Sequence, residues 1–102
     1  MSGLNDTKIR LQECGLTSSG LKTADVAVKS TAGKVFWISM SCESASVIQI
    51  NDSTDDGGTD VWHYRIPDGG HAHVNFDPPL ECATGIYLDI PTGEPNVVVG
   101  YI

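Results

Sequence analysis

Hydrophobic and polar residues alternate along most of the chain from Thr23 onwards, in short segments separated by Gly, Pro, Asp and Ser. Alternation with a period of two indicates β-strands that bury one face. The segments that show it are TADVAVK, KVFWISMS, SVIQIND, VWHYRI, HAHVNF, IYLDI and NVVVGYI. No segment has the periodicity of a helix of ordinary length. The pattern predicts an all-β fold, an antiparallel β-sandwich of about seven strands, and it allows a jelly-roll arrangement.

The 102 residues are enough for one domain with a single modest core. Residues 1–22 lack the clear alternation that follows, so we expect an extended N-terminal arm at 1–22 and a β-sandwich domain at 23–102. The segment DPPLECATG contains adjacent prolines, which cannot donate hydrogen bonds to a β-ladder. We therefore expect this segment to connect two strands.

Two of the predicted strands are apolar on both faces. In KVFWISMS, Val35 and Trp37 alternate with Phe36 and Ile38, and NVVVGYI carries valines on both faces. Such strands require cover on both faces, whereas a two-layer sandwich covers only one. The missing cover is expected from the arm or from another copy of the chain. We prefer a subunit interface, and we assign it to Phe36, Trp37, Val97, Val99 and Tyr101. The alternative is that these side chains simply stay exposed.

The composition limits the kinds of partner that the chain can bind. Six Lys and Arg stand against 13 Asp and Glu, which gives a net charge of −7, and the basic residues are scattered. Nucleic acids and anionic membrane surfaces are both bound through clustered positive charge, so we expect neither as a partner. The first residues contain no apolar segment of the signal-peptide type, which leads us to expect synthesis and folding in the cytosol.

The three cysteines, Cys14, Cys42 and Cys82, do not form a C-x-x-C pair. This spacing argues against a zinc knuckle or a thioredoxin-type site, and burial as small apolar side chains is the expected role. The G-x-S-x-G motif of a nucleophilic serine is absent from the sequence. We predict no cofactor and no enzymatic activity.

All three histidines, His63, His71 and His73, lie in the segment VWHYRIPDGGHAHVNF. We interpret this segment as a β-hairpin with a three-residue turn at residues 68–70, since a glycine there can take the left-handed position of a bulged turn. This register collects the apolar and aromatic side chains of both strands on one face. The three histidines occupy the other face, with Arg65 directly opposite His73.

An H-x-H pair such as His71 and His73 can bind zinc or iron when a third ligand lies near, and His63 is the candidate for that ligand. The neighbouring cation of Arg65 disfavours a metal, so a solvated or interfacial polar face is the preferred interpretation. The segments GGHAHVNFD and GIYLDIPTG resemble the two motifs of cupins, with Asp77 in place of the usual Glu. The resemblance ends at Asn96, where the second motif has histidine. It implies a small metal-dependent enzyme, which we keep as a second alternative.

The segment NDSTDDGGTD contains four aspartates between Asp52 and Asp60. Calcium prefers oxygen ligands, and carboxylates supply them. The spacing is not that of an EF-hand, and Asp and Gly are also the residues that tight turns require. We prefer a solvated turn and keep calcium binding at a subunit contact as an alternative.

The segments GKVFWISMSCESASVIQIND, GIYLDI and VVVGYI, in this order, resemble small β-sandwich proteins of tailed-bacteriophage virions. In those proteins a strand after GKV leads into an alternating strand that ends in Asn-Asp or Asp. A strand with GIY and a valine-rich strand ending in Gly-Tyr then complete the fold. The resemblance covers residues 20–102 and lies in the layout of the segments.

This resemblance implies a capsid decoration or cement protein, which binds between capsomers as an oligomer, commonly a trimer. The partners would be further copies of the chain and the major capsid protein, and the location would be the capsid surface of the virion. Such proteins often hold the shell with a terminal arm. On this hypothesis Ile9 and Leu11 of the arm contact the capsid.

A carbohydrate-binding β-sandwich module is the first alternative. Trp37, Trp62 and Tyr64 are aromatic side chains of the kind that stack on sugars. In the predicted hairpin Trp62 and Tyr64 face inward, which favours core packing for these two.

Overall fold

The computed structural model describes residues 16–102, which form eight β-strands and no helix. The strands are β1 (Thr17–Ser18), β2 (Val26–Lys29), β3 (Gly33–Ser41), β4 (Ser46–Asp52), β5 (Thr59–Ile66), β6 (His71–Cys82), β7 (Ile86–Thr92) and β8 (Asn96–Tyr101). They make two antiparallel four-stranded sheets, with the order β1-β8-β3-β6 in the first sheet and β2-β7-β4-β5 in the second. The predicted all-β antiparallel sandwich is confirmed.

The strands pair in a mirrored order. β1 pairs with β8, β2 with β7, β3 with β6 and β4 with β5. The two halves of the chain therefore run alongside each other and roll up into two sheets. This order is that of an eight-stranded jelly roll.

Residues 17–22, the last part of the segment expected to be an arm, lie along β8. Besides the two-residue strand β1, Lys22 and Val97 exchange two backbone hydrogen bonds of 2.8 and 2.9 Å. The described chain thus begins inside the first sheet. Ile9, Leu11 and Cys14 lie outside the described residues.

The inner faces of the two sheets form one hydrophobic core. Its buried side chains are contributed mainly by β3, β4, β7 and β8, which are the central strands, and they comprise Val35, Ile38, Met40, Cys42, Ile48, Ile50, Ile66, Cys82, Ile86, Leu88, Val97 and Val99. Protein cores are closely packed, so this core should be sensitive to the loss of single methylene groups.

A β-bulge at Phe36 changes the side-chain phase of β3. Between Val35 and Trp37 the strand has one residue more than β8 has between Tyr101 and Gly100. Val35 and Ile38 consequently both point inward and are fully buried, while Trp37 points outward. The predicted common face of Val35 and Trp37 is therefore wrong, because strict alternation fails at a bulge.

The segment DPPLECATG is not wholly a connection, which corrects the prediction. β6 continues to Cys82, because residues 80–82 pair with residues 33–35 of β3. Pro78 and Pro79 fit here for two reasons: β6 is an edge strand, and the ladder is interrupted between Asn75 and Leu80. Only residues 83–85 connect β6 to β7.

The predicted hairpin of β5 and β6 is also wrong. The two strands belong to different sheets, so residues 67–70 cross from one sheet to the other. Gly69 N donates to Glu43 O, and Cys42 N donates to Gly70 O, each at 3.0 Å, which anchors the crossing to a neighbouring loop. The faces were nevertheless predicted correctly. Trp62 and Phe76 both point inward and meet edge-to-face between the sheets, with ring centroids 5.5 Å apart.

Replacing Ile38 by Ala should destabilise the domain strongly, because Ile38 is fully buried at the centre of the first sheet. We expect a loss of about 2–5 kcal/mol in the free energy of unfolding, measured by urea denaturation. Ser41→Ala, on the exposed side of the same strand, is the control and should change this free energy by less than about 0.5 kcal/mol. Equal effects of the two variants would contradict the assigned faces of β3.

Candidate binding surface on the outer face of one sheet

The outer face of the first sheet carries a regular array of aromatic and small polar side chains. Three strands contribute to it in three aligned rows, which the ladder registers define. The rows are Gly100, Trp37 and Asn75; then Val98, Ser39 and His73; then Asn96, Ser41 and His71. We call these nine positions the tryptophan face. Aspartate, glutamate, lysine and arginine are absent from it, although the chain carries a net charge of −7.

Trp37 lies over Gly100 of the neighbouring strand. A Cβ atom at Gly100 would overlap the indole, and its nearest indole atoms would be Cε2, Nε1 and Cδ2. Cε2 and Cδ2 form the bond that the two rings of the indole share, and Nε1 is bonded to Cε2. The indole therefore covers the glycine with its face rather than with an outer edge. Glycine is required at this position because any side chain would displace the ring. The other indole face is directed away from the sheet, and Trp37 is only half-buried.

His73 extends the aromatic surface beside Trp37. The imidazole and indole planes are inclined by 29°, with centroids 5.8 Å apart. Ser39 Oγ forms a short hydrogen bond with His73 Nδ1, and His73 Nε2 lies 3.2 Å from Asn75 Oδ1. A neutral imidazole satisfies both bonds when Nε2–H donates to Asn75 and the Ser39 hydroxyl donates to Nδ1. The orientation of the imidazole is thus fixed by two polar neighbours.

The third row of the tryptophan face keeps its polar groups available. Among residues 16–102, the side chains of Ser41, His71 and Asn96 make no hydrogen bond, and all three are exposed. They border a groove of about 380 Å³ that also touches Ser39 and His73. Small-molecule sites range from roughly 300 to 1,000 Å³, so this groove is large enough for a small ligand.

The structure separates the histidines that the sequence brings together. His63 lies on β5 of the second sheet, where Gln49 Nε2 is 3.2 Å from His63 Nδ1. His71 and His73 lie on the outside of the first sheet. Arg65 is opposite Val47, not opposite His73. Within residues 16–102, no three His, Cys, Asp or Glu side chains are placed to hold a metal ion.

Two of the four aspartates between Asp52 and Asp60 accept backbone hydrogen bonds from turn residues. Asp52 Oδ1 accepts hydrogen bonds from Thr84 N at 2.7 Å and Gly85 N at 3.4 Å, and Asp55 Oδ1 accepts one from Gly57 N at 2.9 Å. Hydrogen bonding from the backbone of Thr84, and then of Ala83 and Gly85, lowers the pKa of Asp52. The buried Asn51 donates from Nδ2 to the backbone oxygen of Asp56 at 3.4 Å, and this bond ties the loop to the second sheet. Asp52 and Asp55 therefore act as turn caps.

The outer face of the second sheet is acidic. Asp89 on β7 is close to the carboxylate of Asp25, whose Oδ1 accepts a hydrogen bond of 2.7 Å from Ile90 N. Partial burial and then the negative charges of Asp25, Asp56 and Asp60 raise the pKa of Asp89. The two outer faces of the sandwich thus differ in charge.

A second groove, of about 700 Å³, lies at one end of the sandwich. Phe36 and Ile102 line it together with lysines and acidic residues, and Ile102 is 40% exposed. Cys82 also borders this groove. Burial, and secondarily the charge of Asp52, raises the pKa of Cys82 to about 11, so its thiol stays protonated at neutral pH. We call this feature the end groove.

The residues predicted for a subunit interface lie in three different places. Val97 and Val99 are fully buried in the core of the protomer, and Tyr101 packs against that core. Trp37 is on the tryptophan face, and Phe36 lines the end groove. Phe36, Trp37 and Tyr101 are each partly exposed, whereas Val97 and Val99 present no side-chain surface to a partner. The predicted capsid-contact residues, Ile9 and Leu11, lie outside the described residues.

Comparisons of the chain with protein-family models, with curated proteins and with solved structures found no match. Among the described residues, there is no helix that could cross a membrane.

Asp89→Asn should stabilise the folded protein at neutral pH. A raised folded-state pKa means that the ionised carboxylate is less favourable in the folded than in the unfolded chain, where the value is 3.8. The stability gain should be present at about pH 7 and vanish as the pH falls below 3.8, where the carboxyl is protonated in both states. Urea denaturation at several pH values measures it. Glu94→Gln removes the same charge from an exposed site and should give no comparable gain; equal gains would mean that only net charge matters.

Proposed function

We propose that the chain is a structural protein of tailed-bacteriophage virions, of the capsid decoration or cement type. The protein would stabilise the head by binding between capsomers as an oligomer. Sequence resemblance supports the assignment, and its quoted segments fall on four strands in chain order: GKV opens β3, Asn51-Asp52 ends β4, GIY spans the start of β7 and VVVGY lies in β8. Fold alone carries no function, so the argument needs a contact surface.

The observation that carries the proposal is that the end groove and the start of the described chain lie at the same end of the sandwich. Thr17 pairs with Tyr101, so Leu16 is next to Ile102, which lines the end groove. The described chain therefore begins beside the end groove. This arrangement is suited to a protein that presents one end to a shell.

The end groove has the chemistry of a contact between copies. Phe36 and Ile102 provide apolar area, and the same groove contains Lys29 and Lys34 as well as Asp52 and Glu81. A surface that carries both signs of charge can be complementary to another part of an identical surface. Lys34 Nζ and Glu81 Oε1 lie 3.7 Å apart within the protomer, so the two opposite charges stand side by side in the groove. We assign the subunit contact to this groove, with Phe36 as its central side chain.

Self-association is the first property to test. Untagged protein should have about three times the protomer mass when measured by size-exclusion chromatography with light scattering. Phe36→Ser should shift the mass toward the protomer while the β-sheet circular dichroism is retained. Tyr64→Ser, which changes a 36% exposed aromatic side chain on another part of the surface, should leave the mass unchanged. A parent protein that remains a protomer at all concentrations would contradict the proposed oligomer.

Head binding is the second property to test. DNA-filled heads from the phage that encodes this sequence, prepared without this protein, should bind the full chain in a sedimentation assay. Removal of residues 1–15, or the double change Ile9→Ser and Leu11→Ser, should abolish cosedimentation without changing the oligomer mass. The matched control is Asn5→Ser with Thr7→Ser, which alters polar positions of the same segment. Full binding by the truncated protein would exclude the arm as the capsid contact.

A further inference from the structure

We propose that the tryptophan face binds uncharged oligosaccharides, with one sugar ring stacked on Trp37. This function goes beyond the virion role and does not depend on it. The tryptophan face and the end groove are different surfaces, so one protein can use both. The placement of Trp37, the polar rows beside it and the charge of the surface all favour such a ligand.

Trp37 is placed as a stacking platform. One indole face rests on Gly100, so the opposite face is presented outward from the sheet. The C–H side of a pyranose ring is apolar and slightly positive, and it is attracted to the negative face of an aromatic ring. Contact with Gly100 and with the His73 ring restricts the indole before a ligand arrives, which reduces the entropy lost on binding.

His73 and its partners form a rigid edge beside the platform. Ser39 and Asn75 hold the two ring nitrogens of His73, so the imidazole cannot turn freely. The amide nitrogen of Asn75 is left to donate to a ligand hydroxyl. A sugar stacked on Trp37 would therefore find an oriented polar neighbour in the same row of the sheet.

The free polar groups lie at a distance that fits more than one sugar ring. Trp37 and Ser41 are four residues apart on β3, which corresponds to roughly 13–14 Å along a strand. This exceeds the length of one pyranose ring. Small serine side chains at positions 39 and 41 separate the larger side chains of β6 and β8, and the groove beside Ser41 begins at the row of Ser39 and His73, next to Trp37, with the exposed Leu21 on its border. A sugar chain stacked on Trp37 needs more than one ring to reach Ser41, His71 and Asn96.

The charge of the surface selects an uncharged ligand. Hydroxyl, amide, imidazole and apolar groups make up the tryptophan face. The rest of the chain is acidic, with a net charge of −7, and it repels polyanions at long range. Neutral glycans fulfil both conditions, because they offer hydroxyl groups for hydrogen bonds and bring no charge.

The test uses the two tryptophans of the chain. Trp62→Phe leaves Trp37 as the sole source of indole fluorescence. Titration with maltohexaose, cellohexaose, N-acetylchitohexaose and mannohexaose should give a saturable change in fluorescence with at least one of them. Polygalacturonate, a polyanion, should give a weaker response than that sugar. The same titrations are repeated by ligand-observed NMR with the unchanged chain.

Variants locate the binding site. Trp37→Ala should weaken binding about tenfold or more, the loss expected when an aromatic stacking partner is removed. Ser41→Ala with His71→Ala should weaken it by roughly threefold to tenfold, and this pair leaves the aromatic platform intact. Tyr87→Ala is the matched control, because Tyr87 is an aromatic side chain on the outer face of the other sheet. It should leave the affinity unchanged.

Three results would overturn the proposal. The first is the absence of binding by any of the four neutral sugars up to about 10 mM, beyond the millimolar Kd of weak complexes. The second is binding that Trp37→Ala does not weaken in a protein of normal circular dichroism. The third is a change of oligomer mass on Trp37→Ala without sugar binding, which would make the tryptophan face a protein contact. The mass measurement on Phe36→Ser is independent, so failure of the sugar proposal and failure of the virion proposal are distinguishable.

Discussion

The bulge at Phe36 determines what each face of β3 can do, and the surfaces of the molecule follow from it. β3 lies between β8 and β6 in the first sheet and pairs with both. A change in the face to which its side chains point must therefore be matched in both neighbouring strands. β6 responds with an irregular stretch between Asn75 and Leu80, and β8 responds with Gly100 opposite Trp37. With strict alternation from Val35 onward, Trp37 would point inward and Ile38 outward. The bulge thus fills the core with aliphatic side chains and places the indole outside.

The two outer faces of the sandwich are chemically different although the sheets are built alike. The first sheet presents neutral hydroxyl, amide and imidazole groups around Trp37. Carboxylates are concentrated on the second sheet, where the charge of the nearby Asp25, after partial burial, raises the pKa of Asp89. The repulsion among these carboxylates is unfavourable for the folded protein, and no described metal site relieves it. The acidic face is therefore suited to remain in solvent, whereas the neutral face can be desolvated at lower cost.

The sequence predicted the elements of the fold better than their partners. Alternation located most strands and predicted that Trp62 and Phe76 point inward, because that depends on local spacing. Pairing depends on residues far apart, and a Gly-rich turn such as residues 67–70 serves a hairpin and a sheet-to-sheet crossing equally. The bulge at Phe36 left no local signal, so the faces of Trp37 and Val35 were confused.

The same limit applies to the candidate sites. The sequence identified Trp37 for a subunit interface or sugar stacking, and His73 for a polar hairpin face with metal binding as the alternative. It did not reveal that they are neighbours, since β3 and β6 are brought together by long-range pairing. Gly100 was missed for the same reason: a glycine opposite a tryptophan is informative only when the register is known. His63 is the opposite case. It is close to His71 and His73 in sequence, but it lies in the other sheet.

The mirrored pairing of the strands also bears on how the chain can reach this fold. Joining β1 to β8 directly would close nearly the whole described chain in one step, at a high entropic cost. The β4–β5 pair closes only the short loop of residues 53–58. Once it exists, β3–β6 and then β2–β7 each add a limited further closure. A topology whose contacts are mostly remote in sequence thus contains a route of short steps from its centre outward, and the strands that join its ends are the natural last addition.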